Sequence, residues 1–391
     1  MELGTRFIHT ADWQIGLRAG HIPGDRGAAI RNARFDVIQR IADVARDSEA
    51  DFVVVAGDVF EHHALHRETL QQTFEALRAF RCNVFLLPGN HDPYTPDSLY
   101  RSEWWHRECP EHVKVLGSRM PLSTGTVTLL PCPLLERHMQ DPTAWLSAQA
   151  GATDRVRVGV AHGGVKELLQ AKLADEEAEI HNDIPLDLAQ RAKLDYLALG
   201  DWHGRFEVNE RTWYSGTPEA TRFKEKQPGD VLVVEVARPG VAPRVTPQRV
   251  ARYQWVRVER KLFNADDVAA LDHALEEIPN RRQTLVEVTL SGSLDLTLHG
   301  RVQQDVLARY RDRFHHLRAR TEQLQVKLTD KDLDELPREA WLDRVVQRLR
   351  DGARLGSAGD SGEEFSADNC QRALHELHRL YVELRANGGA R

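Results

Sequence analysis

The chain predicts an α/β fold, with stacked sheet and helix layers in a large first domain, then a small α/β domain and a helical tail. Three observations carry this. Short Val/Ile/Leu/Phe-rich runs alternate with amphipathic stretches through the first half, as strands and helices do when they bury against one another in layers. At 391 residues the chain is too long for one typical core. Beyond residue 328 the strand pattern gives way to helical spacing.

Taken in order, the apolar runs predict strands at 6–9, 52–56, 83–87, 113–116, 127–130, 156–161, 196–199 and 212–214. Each is too short for a stable helix and rich in β-branched or aromatic residues. Longer stretches with apolar residues on one helical face predict helices at 28–46, 67–80, 142–150 and 186–192. A β-rich section, 230–236 and then 243–258, closes the first domain near residue 260. A helix at 266–278, a strand at 284–290, a helix at 301–314 and a strand at 317–324 make the second unit. The Gly/Ser/acid-rich stretch 351–366 reads as a flexible linker between tail helices at 337–350 and 367–385. The expected domains are therefore 1–260, 261–330 and 331–391, and no internal repeat is present in the sequence.

The 41% hydrophobic and 28% charged fractions are those of a globular protein. No apolar run reaches bilayer length, so no membrane partner is expected. The first nine residues carry no basic segment followed by a long apolar one, which predicts a cytoplasmic location. Cys82, Cys109, Cys132 and Cys370 are scattered without a C-x-x-C pair, so they are expected to be reduced and not to bind zinc. A net charge of −7 gives no global attraction to nucleic acid. Any such binding must come from local patches and bound cations.

Five short segments follow predicted strands, where an α/β sandwich gathers its working groups: Asp12-Trp13-Gln14, Gly57-Asp58, Gly89-Asn90-His91-Asp92, Ala161-His162-Gly163-Gly164 and Gly200-Asp201-Trp202-His203. Singly, each is an ordinary turn, because Gly and Asp are what tight turns use. Together, each after an apolar strand and with histidines that no turn requires, they point to a metal centre.

These segments resemble the calcineurin-like metallophosphoesterases and, within them, the SbcD-like DNA-repair nuclease subunits. The likeness runs over roughly the first 260 residues, most clearly at 9–16, 56–60, 88–93 and the Tyr-Ser-Gly-Thr-Pro-Glu stretch 214–219. It implies a four-layer αββα sandwich and a site for two divalent metal ions. Asp12, Gln14, Asp58 and His203 would hold one ion, and Asp58, Asn90, His162 and Asp201 the other, with Asp58 bridging. Two cations about 4 Å apart repel and need shared anionic ligands, and a water between them loses a proton to become the nucleophile. The resemblance makes His91 the donor to the leaving oxygen. Asp92 either orients His91 or is a turn residue before Pro93.

The chain departs from the family pattern at three places. Gln14 stands where the family usually has His, and Asp201 replaces the first His of a Gly-His-x-His motif. The set thus shifts from imidazole toward oxygen, which predicts Mn2+, with Mg2+ the alternative, over zinc. Glu61 occupies a position where related nucleases carry His, and His62 and His63 beside it either contact a phosphate or form a surface pair.

Arg18 and Arg26 after the first motif, and Arg222, Lys224 and Lys226 after the 214–219 segment, are candidate phosphate contacts or a solvated charged face. Trp13 and Trp202 either wall the cleft or pack in the core. Cys370, Leu374, Leu377, Tyr381 and Leu384 form a narrow apolar seam that suits a partner helix or packing on the chain itself. The resemblance implies that such tails dock on an SbcC-type ATPase and that such nucleases form homodimers. The expected function is a manganese-dependent nuclease, exo- or endonucleolytic, acting on DNA in repair. The rivals are a small-molecule phosphodiesterase or nucleotide pyrophosphohydrolase, and a scaffold protein whose site has decayed through Gln14 and Asp201.

Overall fold

A computed structural model describes residues 4–20, 22–149, 154–165, 182–327, 333, 339–354, 369–370, 372–374, 376–378 and 380–381. The chain separates into two compact units, Met1–Trp255 and Val256–Arg391.

The first unit is an αββα sandwich. Its first sheet contains β1 (Thr5–Thr10), β2 (Phe52–Val55), β3 (Asn83–Leu86), β4 (Val113–Val115), β11 (Asp230–Val236) and β12 (Arg244–Arg249), in the order β12-β11-β1-β2-β3-β4. The second contains β5 (Leu122–Thr124), β6 (Val127–Cys132), β7 (Val156–His162), β8 (Tyr196–Gly200), β9 (Phe206–Asn209) and β10 (Thr212–Tyr214), in the order β5-β6-β7-β8-β10-β9.

Side-chain alternation explains both the layers and the unbroken apolar runs. In β2, Phe52 and Val54 face the space between the sheets, while Val53 and Val55 face helices α1 (Gly24–Asp47) and α2 (Arg67–Leu77). In β8, Tyr196 and Ala198 face the first sheet, while Leu197 and Leu199 meet Leu146, Leu188 and Ala189 on the outside. Strands buried on both faces must be apolar at every position. Between the sheets Phe7 stacks on Phe52 at 4.8 Å and meets Tyr196 edge-on at 5.5 Å. Each such fully buried side chain contributes about 1.5–3 kcal/mol.

The second unit holds a three-stranded sheet, β13-β14-β15, made of Gln254–Leu262, Thr284–Leu294 and His316–Val326. Its core packs Val258, Val286 and Val288 against Leu271, Leu275 and Tyr310.

Several expected elements differ in detail. The stretch 142–150 forms a 3-10 turn, Ala144–Gln149, rather than an α-helix. The 243–258 run breaks at 250–253, and its second part joins the third sheet. The helix expected from residue 301 begins at Leu296 and contains a π segment, Val302–Leu307. Strands β5 and β9 have no counterpart among the expected strands. Most of the linker and the last helix, 355–368 and much of 369–391, lies outside the described residues. Where the seam is described, Leu374 is buried with Leu333, Leu342 and Val346 of the tail, and Leu377 and Tyr381 pack on that cluster.

Candidate metal centre

Parallel pairing decides where the five motifs go. β1, β2 and β3 run parallel in one sheet, and β7 and β8 run parallel in the other. Their carboxyl ends therefore leave each sheet at one edge. Backbone bonds tie neighbouring loops: Asp12 N–H donates to Gly57 O at 3.0 Å, and Gln14 N–H to Asp58 O at 2.9 Å. Two of the bonds that cross between the sheets lie at the motifs. His162 Nδ1 lies 2.8 Å from Ala56 O, and Asp201 N–H donates to Asp12 Oδ1 at 3.1 Å.

Four of the expected ligands sit in left-handed backbone: Asp12 (φ 54°), Gln14 (φ 45°), Asp58 (φ 50°) and Asp201 (φ 98°). Non-glycine residues avoid that region, and each such position costs roughly 1–3 kcal/mol. Such strain, repeated in one cluster, is a mark of a working site. Two glycines show how closely the side chains crowd. A Cβ on Gly57 would lie 2.0 Å from His162 Nδ1, and one on Gly89 would lie 2.2 Å from Asp58 Oδ1.

Asp12, Asp58 and His162 are all buried, with ligand atoms within 4.8 Å of one another. His162 Nε2 stands 3.4 Å from Asp58 Oδ1, 3.8 Å from Asp201 Oδ1 and 2.9 Å from the side-chain amide of Asn90. Gln14 Nε2 is 3.2 Å from His203 Nε2. All seven expected ligand positions thus meet through chains of short contacts.

Three imidazoles share one arrangement. His162 donates from Nδ1 to Ala56 O, His203 from Nδ1 to Glu225 Oε1 at 2.8 Å, and His91 from Nδ1 to Glu61 O at 3.0 Å. Each thereby presents Nε2 to the acidic cluster; His91 Nε2 lies 4.0 Å from Asp58 Oδ2. Fixing one nitrogen by an outer acceptor is how ligand and proton-transfer histidines are oriented.

The electrostatics are those of carboxylates crowded against histidines. Burial pushes Asp12 up to about 7, although His162 and His203 pull the other way. Desolvation in the crowded cluster likewise raises Asp201, whose side chain stays 37% exposed, against the charge of His162. Asp58 is lowered, because His162, by charge and hydrogen bond, and His91 outweigh its burial. Burial would lower His162, but Asp58 outweighs it and raises the imidazole well above its usual value. His203 is also raised, since Glu225 and Asp12 overcome its burial. Among the described residues, the ion-pair contacts of Asp58 and Asp201 run to histidines and not to Lys or Arg.

Among the described residues no hydrogen bond joins Asp92 to His91. Its buried carboxylate accepts from Gly89 N–H at 2.8 Å, Phe60 N–H at 3.0 Å and Tyr100 O–H at 2.5 Å. Both oxygens are committed to clamping two loops. The acceptor that holds His91 is the backbone carbonyl of Glu61.

Glu225, which sequence reasoning passed over, holds His203 and also accepts from Thr221 N–H at 2.8 Å and from the Thr221 hydroxyl. Nothing near it in sequence marks this role, since it stands among alternating charges.

Arg18 and Arg222 line one cavity beside the centre, whereas Lys224 is exposed and does not line it. Trp13 is core, 1% exposed, donating to Thr10 Oγ1. Trp202 packs against the outer core of the second sheet. His62 and His63 are half-buried, and His63 Nδ1 accepts from Leu99 N–H at 3.5 Å.

Residues 5–234 match the family model described as calcineurin-like phosphoesterase. An uncharacterised metallophosphoesterase, YhaO, of Bacillus subtilis is 23% identical over 69% of this chain and 66% of its own length. The DNA double-strand break repair protein Mre11 of Methanosarcina acetivorans is 23% identical over 76% of this chain and 47% of its own. The SbcD component of the nuclease SbcCD of Bacillus subtilis is 24% identical over 60% of this chain and 67% of its own. The chain spans about half to two thirds of the length of these relatives.

Proposed function

The chain belongs to the calcineurin-like phosphoesterase family, hydrolases that bind divalent metals, and from that premise we propose that it is a manganese-dependent nuclease cutting DNA phosphodiesters. The observation that carries the reading is the meeting of Asp12, Asp58 and His162 within 4.8 Å, buried, beside an imidazole suited to proton transfer. Crowded carboxylates whose ion-pair contacts, among the described residues, run to histidines fit divalent cations. Asp12, Gln14, Asp58 and His203 would hold one ion, and Asp58, Asn90, His162 and Asp201 the second. Five oxygen donors against two imidazoles support manganese or magnesium over zinc. Two divalent ions would supply Lewis acidity and would let a water lose a proton near neutral pH and so become a nucleophile toward phosphorus.

The chain's own residues do the rest. Glu61 O accepts from His91 Nδ1, which leaves Nε2 facing the cluster as the atom that would pass a proton to the leaving oxygen. Asp92 stiffens the loop that carries Asn90 and His91.

The names Mre11 and SbcCD support DNA as substrate and repair as setting. The second name also supports a complex, and an SbcC-type ATPase docking on the tail helices is the partner we propose. Exposed Trp341, Val345 and Leu380 leave apolar surface there. A homodimer and a cytoplasmic location complete the proposal; among the described residues no helix is long and apolar enough to cross a membrane.

Linear and circular single-stranded DNA, duplex DNA and bis-p-nitrophenyl phosphate, each with manganese, magnesium or zinc, test it. Manganese-dependent DNA cleavage that disappears in His91→Ala is the expected result. Cleavage of the small ester alone favours a small-molecule phosphodiesterase, and no cleavage of any substrate favours a decayed scaffold.

A further inference from the structure

We propose that the cavity lined by the loop 16–20, Glu61, His62, Thr221 and Arg222 receives the nucleotide that departs when the phosphodiester is cut, with its next phosphate held by Arg18 and Arg222. The proposal rests on the phosphoesterase reading and on His91 serving the leaving oxygen.

Placement is the first support. Glu61, a wall of the cavity, is the residue whose carbonyl holds His91 at 3.0 Å. Thr221, another wall, donates to the Glu225 that holds His203. Gly16 lies two residues beyond Gln14. The cavity is thus joined to the centre on both flanks, and on the Glu61 flank it adjoins the group that would protonate the departing oxygen.

Its size and lining agree. At 460 Å³ it falls within the range of small-molecule sites, roughly 300–1,000 Å³. Leu17 and Ala19 supply apolar wall. The loop is preformed: Leu17 N–H donates to Gln14 O at 3.2 Å, Ile22 N–H to Ala19 O at 3.0 Å, and Arg31 Nη1 to Arg18 O at 3.3 Å.

Charge is the third support. Among the described residues the Arg18 and Arg222 side chains have no hydrogen-bond or ion-pair partner, whereas Arg34, Arg40 and Arg205 nearby in sequence are committed to carbonyls or carboxylates. Free guanidiniums at a pocket are suited to phosphate. The 880 Å³ cavity at Arg155, Arg157 and Arg211 offers no such pair. Arg157 is bound to Gln149 O, Ala192 O and Lys193 O, and Arg211 to Gly240 O. It also lies at the starts of β7 and β8, away from His162 and Asp201 at their ends.

The reaction is a hydrolysis. The bond from phosphorus to the pocketed nucleotide's oxygen breaks, water oxygen takes its place on phosphorus, and that nucleotide leaves as the alcohol with a proton delivered through His91.

Dithymidylate without a terminal phosphate, with one at the 5′ end and with one at the 3′ end, together with bis-p-nitrophenyl phosphate, tests the assignment on the full chain with manganese. In the unmodified protein one terminal phosphate is expected to lower KM roughly ten-fold, the size of a charge-assisted contact. That advantage should vanish in the double variant Arg18→Ala/Arg222→Ala. If the advantage survives, or if turnover of all four substrates falls by one common factor, the pocket assignment is overturned. If the unmodified protein hydrolyses none of the four, the phosphoesterase reading itself fails and the pocket falls with it.

Discussion

His203 reaches the acidic cluster through Nε2 because its other nitrogen is held 2.8 Å from Glu225. Glu225 is fixed in turn by Thr221, and its carboxyl is lowered, since the bond and charge of His203 outweigh its burial. An outer carboxylate of this kind both orients a ligand imidazole and raises its basicity, and losing one typically costs about 10–100-fold in metal affinity. Glu225→Ala should therefore weaken Mn2+ binding by roughly that factor in calorimetric titration. Superimposable curves for the two proteins would reduce Glu225 to a packing residue. The residue scale is also where legibility in the sequence ends. The positions Asp12, Asp58, Asn90, His162 and His203 stand out because each follows an apolar strand. Glu225 lies 22 residues from the histidine it serves. The left-handed backbone of Gln14 has no local signature, because Gln disfavours that conformation and only the bonds of its loop to the residues after β2 impose it.

Loops between elements carry the site, and one carboxylate locks two of them. Asp92 joins the turn after β2, through Phe60 N–H, to the turn after β3, through Gly89 N–H, and adds Tyr100 O–H. Burial pushes its carboxyl up to about 6. Asp92→Asn puts an amide nitrogen against one of these donors and leaves a buried backbone group unanswered, at a cost of roughly 1–3 kcal/mol. A drop in Tm of several degrees is the expected outcome, with the small-ester activity falling because the loop of Asn90 and His91 loosens. Unchanged Tm with lower kcat would instead return Asp92 to a direct role at His91. Legibility among the elements follows burial. Strands covered on both faces, such as Phe52–Val55, are unbroken apolar runs and are readable to within a residue or two. Strand β5, Leu122–Thr124, is three residues long and largely exposed, so no period could announce it. The 3-10 turn Ala144–Gln149 holds one buried apolar residue, Leu146, too few to mark its geometry.

At the scale of the molecule the two sheets must stay in register, because the expected ligands are divided between them. His9 is one of the ties. On β1, fully buried, it lies 2.9 Å from Tyr196 O–H through Nδ1 and 3.2 Å from Leu199 O through Nε2, both on β8. Leu199 O can only accept, so Nε2 carries the proton and Nδ1 accepts from Tyr196. Burial lowers this imidazole to about 3, with the bond to Leu199 opposing. In the unfolded chain a histidine titrates near ~6.5. Below that value the unfolded state takes up a proton that the folded state refuses, so stability is lost as pH falls from about 6.5 toward 3. By pH 5 the loss from this one residue is about 2 kcal/mol. His9→Gln keeps a polar side chain without the titration. Its stability deficit relative to the unmodified protein, measured by urea unfolding, should shrink by about 2 kcal/mol between pH 7.5 and pH 5. A deficit that stays constant over that range would mean that His9 is not held neutral between the sheets, and that the acid sensitivity of the sandwich is set by its carboxylates instead.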